Sequence, residues 1–131
     1  MKRTGYVASI FLLVALAPLA GCSVPEAEVS GTVKIDGQPL KEGDILFEET
    51  DKSKTPAAGK IVDGKYALKV LPGSKLVRIN ASRPTGKVDP HMKSVGRESM
   101  VAAEFNERTT LKAEITPGKQ EGVDFNVKSI P

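Results

Sequence analysis

Two side chains with chemistry of their own occur once each: Cys22, the only cysteine, and His91, the only histidine. A lone cysteine excludes an intrachain disulfide. Nucleophilic catalysis needs a nucleophile, a base in reach and a group that orients the base. His91 lies in Asp89-Pro90-His91-Met92, with Ser82, Ser94 and Ser99 nearby in sequence. A Ser-His-Asp set from these would make a small exported hydrolase, the alternative reading, but no G-x-S-x-G elbow accompanies them. A zinc site of usual composition needs further histidines or free cysteines. Neither a metal nor a cofactor is therefore expected. Asp44, Glu48, Glu49 and Asp51 are close in sequence, and calcium takes several oxygen ligands. Their spacing is not D-x-D-x-D-G, and Lys41, Lys52 and Lys54 intervene, so a calcium-binding module remains only an alternative. One stretch concentrates cations: Arg83, Lys87, Lys93 and Arg97, with His91 among them, against Asp89 and Glu98. It is a candidate binding loop for anionic glycan or lipid headgroups.

What precedes Cys22 sets where this chemistry operates. A basic tip, Lys2-Arg3, leads into an apolar run over 7–17 and then small residues, the order of an export signal. As a membrane span, residues 5–20 are short against the roughly 20 apolar residues required, and Pro18 interrupts them. An A-x-A site at Ala15-Leu16-Ala17 is followed by that proline, whose rigid backbone fits a peptidase cleft badly. Leu19-Ala20-Gly21-Cys22 resembles the lipobox of bacterial lipoproteins. The resemblance implies a signal peptide of residues 1–21, cleavage before Cys22 and a diacylglycerol on its sulfur, with palmitate-type chains holding the protein to a membrane. At about 0.8 kcal/mol per buried CH₂, two acyl chains anchor almost permanently. The expected location is the cell membrane or the outer membrane, on its periplasmic or surface face. Ser23 in place of aspartate favours the outer membrane by the same resemblance.

The net charge of +3 includes Lys2 and Arg3. Without them the chain is nearly neutral, so a nucleic-acid partner is not expected. The remainder is the size of one domain. Residues 22–28, polar and containing Pro25, read as an acylated cysteine and spacer; residues 29–131 read as the domain.

That domain reads as strands. Residues 29–35 alternate, with Val29, Gly31, Val33 and Ile35 on one face. Asp36-Gly37 and Asp63-Gly64 are hairpin turn signals. Between them, 40–49 carries Ile45 and Phe47 on one face, and 58–62 follows a polar loop. Residues 65–70 point Tyr66, Leu68 and Val70 inward; after the Pro72-Gly73 turn, 75–82 point Val77, Ile79 and Ala81 inward. Alternation resumes with Leu111, Ala113 and Ile115, and again, after Pro117-Gly118, with Val123, Phe125 and Val127. The fold expected is all-β, an antiparallel seven-stranded β-sandwich with an aliphatic core. Residues 83–108 break the rhythm, and so long a connection is often functional. Within it Met92, Val95, Met100 and Val101 are expected to pin the loop onto the sandwich.

Val29-Ser30-Gly31-Thr32-Val33 with Asp36-Gly37-Gln38-Pro39-Leu40, followed by Asp63-Gly64-Lys65-Tyr66-Ala67-Leu68-Lys69-Val70 and Pro72-Gly73, resembles carboxypeptidase-regulatory-like, or transthyretin-like, domains. Together with the lipobox, Phe105-Asn106 and Thr110-Leu111, the chain is similar to small lipoproteins of planctomycete-type bacteria. The resemblance covers most of 29–128 and implies a prealbumin-like sandwich without one activity of its own, since such domains mostly stabilise or bind. The expectation is a non-catalytic, membrane-tethered module, structural or adhesive, whose partner is an envelope protein or glycan. An aliphatic, filled core argues against a ligand carried in the interior.

Overall fold

The computed structural model describes residue 21 and residues 24–131. Leu19, Ala20 and Cys22 of the expected processing site lie outside the described residues. No described helix is long and apolar enough to cross a membrane. The fold is all-β. Its strands are β1 (Ala27–Ile35), β2 (Gln38–Pro39), β3 (Glu42–Glu49), β4 (Ala57–Val62), β5 (Lys65–Val70), β6 (Gly73–Asn80), β7 (Ser82–Val88), β8 (Val95–Ser99), β9 (Lys112–Ile115), β10 (Lys119–Gln120) and β11 (Phe125–Val127). A single 3₁₀ turn, Ala103–Phe105, is the helical element among the described residues.

The seven runs expected from alternation are all strands, and their apolar faces point where expected. The sheet order is β10-β1-β5-β4-β3-β6-β9. Between β4 and β5 the register holds at one pair, Val62 with Lys65. It is made beside the Asp63-Gly64 turn, so the sheet curls there and its two halves enclose one core. Both Asp-Gly turns have positive φ at each residue (51° and 81° at Asp36-Gly37, 50° and 75° at Asp63-Gly64), the geometry that matches the twist of paired strands. Val29, Val33, Ile45, Ile61, Val77, Ile79 and Val127 are buried in the interior. Phe47, Tyr66 and Phe125 bring their rings within 6.2–6.4 Å of one another across it.

Four features differ from the sequence reading. The strand count rises because 82–99 form a hairpin of their own, β7 with β8, and because β2 and β10 add two residues each. The sandwich is not purely antiparallel: β10 and β11 both run parallel to β1. β1 begins at Ala27, which is fully buried, so the spacer is two residues shorter than expected. Finally, Lys75 occupies an inward position on β6, 3% exposed, with its ammonium on the carboxylate of its cross-strand neighbour Glu49. Burial of that charge is tolerated because the partner sits at the rim, where water still reaches it.

β1 is the strand that closes the fold. β5 and β2 line one flank; β10 and β11 line the other. On the second flank, 121–124 face 30–32, one residue more than the partner strand, with Gly122 at φ 73°. Asp124 satisfies the gap by accepting hydrogen bonds from the Thr32 amide (2.8 Å) and hydroxyl (3.0 Å). The backbone of Val123 lies where a side chain on residue 31 would stand: a Cβ on Gly31 would be 2.0 Å from the Val123 carbonyl oxygen. Tyr66, paired with Gly31, donates its hydroxyl to that same oxygen at 2.5 Å. Burial, and then the Asp124 charge, push the Tyr66 hydroxyl far above its ordinary pKa, so it stays a donor. At the chain's end, Asp36 accepts from the Ser129 hydroxyl (2.5 Å) and amide (3.1 Å). The hydroxyl first, then the amide, hold its carboxyl below the usual carboxylate range.

Gly31→Ala is expected to cost at least about 2 kcal/mol, because backbone rather than a flexible side chain blocks the new methyl; a change under about 0.5 kcal/mol in urea unfolding would contradict the crossing. Asp36→Asn tests the terminal latch, since asparagine tolerates the positive φ but carries no charge. A carboxyl whose folded pKa is depressed adds stability above the usual carboxylate range and loses it as pH falls through the folded value. Wild type should therefore outlast Asp36→Asn at neutral pH, and the gap should close in acid; a gap that does not depend on pH would refute the latch.

Candidate binding site at the hairpin

The hairpin begins where the sandwich ends. The strand registers place Ala27, Val70, Ala57, Glu49 and Lys75 at one pole, and Thr32, Lys65, Val62, Glu42 and Asn80 at the other. The chain enters at the first pole; β6 carries it to the second, and β7 continues from there. All seven residues of β7 are exposed, and of β8 only Gly96 is half-buried. At about 3.3 Å per residue, β7 extends roughly 23 Å. The sandwich holds only its base: the Met100 amide donates to the Ala81 carbonyl at 2.9 Å, and Val101 is buried.

Pairing runs Ser82 to Ser99, Arg83 to Glu98 and Pro84 to Arg97, then slips before Val88 meets Val95. In the slip, three residues from Thr85 to Lys87 oppose Gly96 alone, and Gly86 takes φ 74°. The Thr85 hydroxyl holds the bulge, donating to the Gly96 carbonyl (3.1 Å) and accepting from the Lys87 amide (3.3 Å). At the tip, Asp89 organises the turn. Its carboxylate accepts from the His91 and Met92 amides (2.8 and 3.0 Å), its carbonyl from the Lys93 amide (2.9 Å), and its own amide donates to the Ser94 carbonyl (2.9 Å).

The five candidate binding residues therefore divide into two groups. Arg83 and Arg97 belong to the base. Arg83 Nε donates to Glu98 Oε1 at 2.7 Å, while Arg97 donates to the Ser82 hydroxyl and carbonyl at 2.8 Å each. Lys87, His91 and Lys93 belong to the tip. Of the three candidate serines, Ser82 and Ser99 pair at the base, most of the hairpin away from His91, while Ser94 shares the tip turn with it; the Asp89 carboxylate is engaged with the His91 and Met92 backbone amides rather than with the imidazole. Met92 and Val95 correct a further expectation. They do not pin the segment to the sandwich but stand 73% and 49% exposed, beside Val88 at 64%. Met100 and Val101 do pack on the core.

The acidic run is dispersed by strand geometry. Glu48 and Glu49 point to opposite faces, toward Arg78 and Lys75; Asp44 pairs with Lys60 at 2.5 Å, and Asp51 caps the Ser53 amide at 2.9 Å. Among the described residues no group of three or more histidine, cysteine or carboxylate side chains is arranged to hold a metal ion.

Between the far pole of the sandwich and the hairpin base lies an open cleft of about 610 Å³. The Asp44–Lys60 ion pair and Asn80 come from the sheet, Ser82 and Arg97 from the hairpin, and Asn106 from the segment after the 3₁₀ turn. Amide, hydroxyl, guanidinium and a balanced ion pair can donate and accept toward a polar ligand without requiring it to be charged. The sequence could not reveal this cleft, because cross-strand pairing rather than spacing brings Asp44 beside Asn80.

No family model matches this chain, and no curated protein matches it. It is similar in structure to a DUF3823 family protein from Parabacteroides merdae ATCC 43184, with 17% sequence identity and a TM-score of 0.43. The match covers 83% of this chain and 48% of that one, so the chain spans about half the length of that protein.

Proposed function

We propose that this chain is a non-catalytic envelope lipoprotein: exported, acylated on Cys22, and acting as a structural or adhesive module that contacts an envelope glycan or protein. The observation that carries the binding role is the cleft at the hairpin base, built by the sheet, the hairpin and the segment after the 3₁₀ turn at the pole away from Ala27. Its hydrogen-bonding groups, among them Asn80, Ser82, Arg97 and the carboxylates of Glu42, Asp44 and Glu98, suit vicinal hydroxyls of a sugar, or an uncharged polar patch of a protein. The interior is occupied by packed aliphatic and aromatic side chains, which supports a contact made on the outside. The resemblance to carboxypeptidase-regulatory-like domains of planctomycete-type lipoproteins supports the same reading, since those domains mostly stabilise or bind. A hydrolase built on His91 is the weaker account, as the Asp89 carboxylate that would orient the imidazole is held by the His91 and Met92 backbone amides instead.

Feeding radioactive palmitate to cells and passing solubilised envelope over immobilised protein tests both halves. Wild type should carry label and Cys22→Ser none. Wild type should also retain an envelope component that Asn80→Ala/Arg97→Ala loses. Labelled Cys22→Ser protein would overturn the tether. Turnover of an ester or peptide panel that disappears in His91→Ala would replace the binding module with the hydrolase.

A further inference from the structure

Six large apolar side chains are strongly exposed among the described residues, and three of them, Val88, Met92 and Val95, share the hairpin tip. Val88 and Val95 are paired in register and so share a face, and Met92 lies in the turn that joins them, so all three expose apolar surface at the same end of the ribbon, an apolar knob. The Asp89 bonds fix the backbone beneath it, so little ordering is required when the knob is covered. Lys87 and Lys93 flank it, and no carboxylate pairs with either among the described residues. An apolar knob with cationic flanks complements an anionic surface with an apolar interior. A protein would have to supply a matching socket, whereas a bilayer needs none.

We infer that the tip of β7–β8 inserts into the headgroup layer of an anionic bilayer, the one that holds the acyl chains on Cys22, so that the domain lies along the membrane on two attachments. The inference rests on the tether proposed above. Its geometry closes: the five residues from Cys22 to Ala27 reach at most about 17 Å. With sheets about 10 Å apart, Ala27 in a reclining sandwich stands roughly 10–15 Å above the surface, within that reach. A weak insertion suffices, because the tether holds the tip at high effective concentration.

The test uses the processed, acylated protein carrying Met92→Cys with an environment-sensitive fluorophore, the acylated Cys22 being unavailable to the label. It is reconstituted into phosphatidylcholine vesicles with or without phosphatidylglycerol. The expected result is a blue shift and quenching by bilayer-embedded quenchers only where phosphatidylglycerol is present. Lys87→Gln/Lys93→Gln should lower the inserted-to-free ratio roughly 25-fold, at about five-fold per lysine. Protein that floats with vesicles while the probe stays in water would overturn the insertion and leave the tether standing. Protein that does not float would remove the tether, and the two-point attachment with it. Insertion accompanied by vesicle clustering would place the tip in a facing bilayer and overturn the reclining arrangement. A blue shift produced by lipid-free envelope proteins would assign the knob to a protein socket instead.

Discussion

The close passage of the Val123 backbone over Gly31 is the contact on which the rest of the structure depends. It lets the C-terminal segment bulge over the inward face of β1 between two stretches, β10 and β11, that run parallel beside the same flank. One carbonyl oxygen serves twice, filling the space of the missing side chain and accepting the Tyr66 hydroxyl. With that crossing made, β1 has neighbours on both flanks, and Val33 and Val127 are sealed into the core. An open edge along β1 would instead invite pairing with another chain. At the β9 end of the sheet the edge strand is short and carries Lys112 and Glu114 facing solvent, which discourages such pairing.

A sandwich closed in this way leaves its reactive surface elsewhere. The hairpin continues from β6 at the pole opposite Ala27, and its chemistry divides along its length. At the base, ion pairs and hydroxyl contacts fix Arg83 and Arg97 and shape one wall of a polar cleft. At the tip, apolar side chains and two lysines without a carboxylate partner among the described residues face water over a rigid turn. The base presents hydrogen-bonding groups in near charge balance, and the tip presents apolar area with positive charge. Two such surfaces, some 20 Å apart along one β-ribbon, agree with the proposed role of a tethered module that orients on one partner while engaging another.

Much of the core was legible in the sequence, because one face of each sandwich strand is buried and burial imposes a period of two. Ile45 with Phe47 and Val77 with Ile79 follow it strictly, and both Asp-Gly pairs adopt the turns their composition favours. The hairpin escaped for the same physical reason. A ribbon exposed on both faces has no buried side to impose alternation, and Pro84, Gly86 and the bulge remove what remained. Met92 and Val95 are exposed although hydrophobicity alone argues for their burial. Lys75 was hidden by the opposite rule: a lysine at an inward position reads as a break in the pattern unless its partner across the strand, Glu49, is known. Parallel pairing of the C-terminal strands and the convergence of Asp44, Asn80 and Arg97 arise from topology, which local spacing does not encode.

The central claim is that the working element stands outside a sandwich that does not need it. Thermal unfolding of a chain in which residues 86–94 are replaced by a two-residue type I′ turn tests this directly. The account predicts a Tm within about 2 °C of wild type, well under the shift that a loss of 1 kcal/mol produces in a domain of this size. A fall of about 10 °C or more would show that the hairpin is part of the core, and would contradict the separation of contact element from fold.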